Sequence, residues 1–198
     1  MSAADIDGVT IDAYGTLMTL ADPLPGLQTL LPDHGRDDIE QAFRAEGAYY
    51  AEHVSEGRDE PSLARLREQC VAVFNDTLGS SLLADEYVGA LRFEVLPGTT
   101  AALDRLRALG LTLAVVGNWD FSLHGWLDEH GLGGYFATIV PAARKPDPDG
   151  ILQALGVMRV KPERALHIGD ADNDERAARA AGVHFLPAPL PDAVAALT

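Results

Sequence analysis

Apolar and polar positions along the chain follow two rhythms. Val9, Thr10 and Ile11 form a short β-rich run that stops at a carboxylate, Asp12, and Tyr14, Gly15 and Thr16 then turn the chain. Residues 21–26, with two prolines and a glycine, read as a loop. From about residue 27 to about residue 90 the spacing is helical. "DDIEQAFRAEGAYYAEHV" sets Ile39, Ala42, Phe43 and Tyr50 on one face, with Gly47 a gap in the stripe. A second helix is predicted from Pro61 to about Leu78 through Leu63, Leu66, Val71 and Phe74, and a third over residues 81–91.

From "EVLPGTTAALDRLRALG" onward, helix and strand alternate. A helix over residues 99–109 stops at Gly110. "LTLAVVG", "ATIV", "ALHIGD" and "VHFL" read as strands; "SLHGWLDEHG", "DGILQALG" and "NDERAARAAG" read as the helices between them. This order predicts an α/β fold: a doubly wound parallel sheet with helices on both faces. The first strand is cut off from its sheet by a long helical stretch, which predicts an inserted helical cap over residues 19–92. Residues 1–18 and 93–198 would then form the core.

Composition narrows the function. The chain has 198 residues, 47% of them hydrophobic, enough to bury a sizeable core. No apolar run approaches a membrane span, and "MSAADIDGVT" carries acids where a signal peptide carries bases, so a cytoplasmic location is expected. The single cysteine, Cys70, excludes an internal disulfide and a cysteine zinc cluster; within "LREQCVAVF" it reads as a small buried hydrophobe. A formal net charge of −15 repels nucleic acid and anionic membranes. The expected partner is a small anionic molecule held by local cations, and monomer and homodimer are both open.

Open parallel sheets bind ligands beyond the carboxyl ends of their strands. Standing there are Asp12, then Gly117 and Asn118, then Arg144 and Lys145 in a loop, then Asp170 with Asp172 and Asp174. Singly, each is an ordinary turn former or cap. Together, the carboxylates would repel one another unless a cation sat among them, and hard oxygen ligands suit magnesium.

Four segments in order, "DAYGT", "VVGN", "RKPDP" and "HIGDADND", resemble the haloacid dehalogenase superfamily of hydrolases, and the helical stretch sits where members with a helical cap insert theirs. The resemblance implies that Asp12 is a nucleophile forming a covalent aspartyl intermediate. It implies that Asp12, the backbone carbonyl of Tyr14, Asp170 and Asp174 surround Mg2+, with Asp174 binding directly or through water. Lys145 would neutralise Asp12 and the transferring group, and Asn118 with nearby amides would orient substrate oxygens. Thr16 would hydrogen-bond near the nucleophile or cap the turn. Asp172 reads as an acidic helix start, Asp147 as a helix cap, His167 as a packing histidine, and Trp119 and Trp126 as packing residues.

Two positions depart from the phosphatase pattern. Phosphatases of the superfamily carry a second aspartate where this chain has Tyr14, and an ordinary tyrosine is a poor base at neutral pH. L-2-haloacid dehalogenases place an aromatic residue there and recruit an arginine from the first cap helix, a position that Arg44 matches. "GDADND" argues the other way, because dehalogenases need no metal and replace those acids. The second departure is Gly117, where the family has Ser or Thr: the hydroxyl is lost, and a backbone amide able to approach closely is left. A magnesium-dependent phosphatase of a small phosphate ester is expected first. A 2-haloacid dehalogenase and a phosphate-binding protein without turnover are the alternatives.

Overall fold

The chain opens with β1 (Gly8–Ile11) and leaves it through β2 (Met18–Leu20). Four helices follow: α1 (Leu24–Leu30), α2 (Arg36–His53), α3 (Glu60–Leu78) and α4 (Ala84–Ala90). It returns through β3 (Phe93–Val95), which pairs with β2. Helix and strand then alternate as α5 (Thr99–Ala108), β4 (Thr112–Val116), α6 (Leu123–Glu129), β5 (Thr138–Val140), α7 (Asp149–Met158), β6 (Ala165–Gly169), α8 (Asp172–Ala181), β7 (His184–Pro187) and α9 (Leu190–Ala195). The structure, a computed structural model, describes residues 3–197. The chain divides into two compact units, Met1–Thr19 with Val95–Thr198, and Leu20–Glu94.

In the first unit, five strands form one sheet in the order β5-β4-β1-β6-β7, every pair parallel. All four residues of β1 are buried, as a central strand covered on both faces requires. One layer is made by α7 and α8: Ile151, Ala154, Ala177, Ala178 and Ala181 pack with Ala114, Val116 and Val140 of the sheet. The small alanines let α8 lie close to the strands. Helices α5 and α9 pack against each other, α5 also against β4 and α9 against β6 and β7. Fully burying a side chain such as Ile11 or Leu113 contributes about 1.5–3 kcal/mol.

The helical unit has its own core of Leu24, Leu27, Ile39, Ala42, Val71, Phe74 and Tyr87. Helix α3 starts on a reciprocal cap: the Ser62 N–H donates to Asp59 Oδ1 at 2.8 Å, and the Asp59 N–H donates to Ser62 Oγ at 3.0 Å. Cys70 is buried and unbridged. Among the described residues no helix is long and apolar enough to cross a membrane.

Three local expectations change. Helix α1 begins at Leu24, inside the segment read as a loop, because Pro25 falls in its first turn, where a missing N–H costs nothing. Helix α4 begins at Ala84 rather than residue 81. Strands β2 and β3, three residues each, and the six-residue α9 were too short to show a period.

Candidate active site

Parallel register delivers the central carboxylate. Ile11 sits opposite Val115 of β4 and Ile168 of β6, and the Asp12 N–H still donates to the Ile168 carbonyl at 2.8 Å. Asp12 is therefore fixed where β1 runs out, between the ends of β4 and β6. Strand order reverses about β1, the place where such sheets open a crevice.

The loop after β5 brings Lys145 to this point, fully buried. Its ammonium donates to Asp12 Oδ1 and, at 2.5 Å, to Asp174 Oδ1. Burial pushes the Asp12 carboxyl up to about 6, against the pull of Lys145 and with a push from Asp174. Asp174 goes the other way. Burial opposes its charge, but hydrogen bonds from His167 and Lys145 and the Lys145 charge outweigh it and hold the carboxyl near 2. Asp170 is exposed, and partial desolvation plus the Asp174 charge raise its pKa.

Two glycines make room for these acids. Gly15 has φ +83°, and a Cβ there would lie 2.3 Å from Asp170 Oδ2. A Cβ on Gly169 would lie 2.3 Å from Asp174 Cγ. Helix α8 secures the rest: Asp174, in its first turn, reaches back to accept the Ala171 N–H at 3.1 Å. One oxygen each from Asp12, Asp170 and Asp174 lie within 4.8 Å of one another. The three carboxylates face one ammonium, leaving a surplus that one divalent cation would neutralise. The donor set is all hard oxygen, and the buried Thr16 hydroxyl has no partner among the described residues. These residues fit a magnesium ion.

The other sequence candidates take different places. Asn118 does not present a free amide to a ligand: its Nδ2 donates to the Lys145 carbonyl at 3.0 Å and its Oδ1 accepts the Lys145 N–H at 2.7 Å. It clamps the backbone of the lysine instead. Gly117 has no spare amide either, because sheet pairing continues through it; its N–H donates to Val140 O and its carbonyl accepts from Ala143 N, both at 3.1 Å. Thr16 makes neither expected hydrogen bond. The Tyr14 side chain is 52% exposed and meets the Trp119 ring edge-on at 6.3 Å. Arg44 lies in the helical unit, largely exposed and ion-paired with Glu40 one turn back at 3.2 Å. Asp147 accepts the Asp149 N–H as a cap, and Asp172 opens α8 as an exposed acid.

His167, read as a packing histidine, is in the core as expected and has polar partners as well. It is fully buried, with Nε2 3.2 Å from Asp174 Oδ1 and Nδ1 2.9 Å from Thr10 Oγ1. The available signal was two polar residues, Thr10 and His167, inside otherwise apolar central strands; only the register shows that they face each other.

Fold and site together define a hydrolase class with carboxylates at the end of its central strand. The chain belongs to the haloacid dehalogenase-like hydrolases, whose family model matches residues 6–182. It is 32% identical over 167 residues to haloacid dehalogenase-like hydrolase domain-containing protein 3 of Bos taurus, covering 80% of this chain and 58% of that one. It is also 32% identical over 186 residues to a phosphoglycolate phosphatase of Aquifex aeolicus, covering 90% of this chain and 79% of the relative. The chain spans only 35–44% of the length of several other curated relatives it matches. Its fold is that of the L-2-haloacid dehalogenase of Xanthobacter autotrophicus, with a TM-score of 0.68 at 23% identity over 91% of this chain and 76% of that one.

Proposed function

We propose that the chain is a magnesium-dependent phosphatase that hydrolyses a small phosphate ester through an aspartyl-phosphate on Asp12. The carboxylate cluster of Asp12, Asp170 and Asp174 carries this reading, because displacing halide from carbon needs no such concentration of negative charge. The curated relatives that are phosphoglycolate phosphatases support it.

Asp12 attacks phosphorus, the P–O bond to the ester oxygen breaks, and water then attacks the acyl phosphate, releasing inorganic phosphate and restoring the carboxylate. Lys145 lowers the repulsion between the Asp12 carboxylate and the phosphoryl oxygens. Asp12, the Tyr14 carbonyl and Asp170 would hold the magnesium ion, with Asp174 bound directly or through water. When bound, the ion would supply positive charge to the phosphoryl oxygens. Asn118 keeps Lys145 in place. No carboxyl stands at Tyr14 to protonate the leaving oxygen, so good leaving groups are favoured.

Tyr14 is also the observation that favours a second reading, 2-haloacid dehalogenation, since halide leaves without a proton. A panel of phosphate esters including phosphoglycolate, together with 2-chloropropionate, separates the two. The proposal expects phosphate release that requires Mg2+ and disappears in Asp12→Asn. Metal-independent chloride release would replace it with dehalogenation, and ligand binding without turnover of any ester would leave a phosphate-binding protein.

A further inference from the structure

Asp174 is held by three donors. Oδ1 receives Lys145 Nζ at 2.5 Å and faces His167 Nε2 at 3.2 Å; Oδ2 receives the Ala171 N–H at 3.1 Å. Lys145 ends a flexible four-carbon stem, and the Ala171 amide fixes only the second oxygen. His167 is the one donor to Oδ1 that stands on the sheet itself, in β6, beside β1.

Its proton is assigned by the partners on each side. Nε2 faces a carboxylate oxygen, which only accepts, so Nε2 is the nitrogen that carries a hydrogen. The Thr10 hydroxyl lies 2.9 Å from Nδ1 and 3.4 Å from the Leu166 carbonyl. With the hydroxyl donating to Nδ1, Nε2–H donates to Asp174 Oδ1. The opposite tautomer would set a nitrogen lone pair against a carboxylate oxygen in a buried site, an arrangement that costs about 1–3 kcal/mol in lost hydrogen bonding.

We propose that His167, oriented by Thr10, is a positioning residue that fixes the Asp174 carboxylate so that its unpaired edge serves the divalent-cation site. The wire runs from the Thr10 hydroxyl through the imidazole to Asp174, and from there to Lys145 and Asp12. It needs no change of protonation, only a correctly placed Nε2–H. A histidine that merely filled space would be served equally well by an aromatic hydrocarbon. This inference rests on the magnesium reading above.

Isothermal calorimetry with Mn2+ on wild type, His167→Phe, His167→Gln, His167→Asn and Thr10→Val tests it, with circular dichroism reporting folding. Gln places an amide donor near Nε2; Asn places one nearer Nδ1. The inference expects Kd to rise about 10- to 100-fold in His167→Phe and His167→Asn, the usual cost of losing such a partner. It expects His167→Gln to stay within about threefold and Thr10→Val to fall between. A folded His167→Phe with wild-type Kd, or a His167→Gln as weak as Phe, overturns it. Should Phe fail to fold, the comparison of Gln, Asn and Val decides. Wild type without measurable Mn2+ affinity would instead overturn the magnesium reading itself.

Discussion

At the scale of the residue, Tyr14 governs the expected chemistry more than any acid does. Half exposed and touching Trp119 only edge-on, it can be replaced without disturbing the core. Tyr14→Asp should raise turnover of alkyl phosphates by at least about 10-fold, a fraction of the 100- to 10,000-fold that acid–base catalysis contributes. Turnover of p-nitrophenyl phosphate should rise far less, because its leaving group needs no proton; steady-state rates on the two esters check this. Gly169 makes the opposite kind of prediction. A methyl there collides with Asp174, so Gly169→Ala should lose most phosphatase activity while the circular dichroism spectrum stays that of the wild type. The acids themselves were legible in the sequence because type and spacing mark them. That Gly15 and Gly169 are the surfaces those acids lie on was not, since contact between a loop glycine and a distant carboxylate follows only from folding.

At the scale of the element, the five core strands and the helices between them were legible because each is long or apolar enough to show its period. Where the chain folds back on itself, the sequence was silent. Lys145 and Asn118 are 27 positions apart, and nothing in their spacing announces that one side chain clamps the other's backbone. Spending both ends of the Asn118 amide on the lysine makes this residue a support for the loop after β5. Asn118→Ala removes two hydrogen bonds, each contributing about 0.5–1.5 kcal/mol. The loss should appear as a kcat about 10-fold lower with KM little changed, and as faster hydrogen exchange at Lys145. A rise in KM alone would return Asn118 to direct contact with substrate. Gly117 follows the same logic: its amide completes the pairing of β4 with β5, so it was unavailable for the role its position suggested.

At the scale of the whole molecule, the two units have separate cores, and the helical one carries its own buried charge. Glu46 on α2 accepts the Tyr87 hydroxyl at 2.8 Å; burial raises its pKa above the usual glutamate value, partly offset by hydrogen bonds from Tyr87 and Cys70. The folded state therefore binds this proton more tightly than the unfolded chain. Its contribution is fully present below the unfolded pKa and is lost as pH rises through the folded one. Glu46→Gln should melt above wild type at pH 8, with the gap closing toward pH 4 in thermal scans. The net charge of −15 makes the central claim demanding at this scale too, since an anionic ester must be drawn to an acidic protein by Lys145 and a cation. The most direct test is acid-quenched mass spectrometry of the chain after incubation with phosphate ester and Mg2+. A phosphoryl group on Asp12, absent when the metal is chelated, is the predicted result. An ester adduct on Asp12 formed from 2-chloropropionate without metal, with no phosphoryl adduct from any ester, would contradict it.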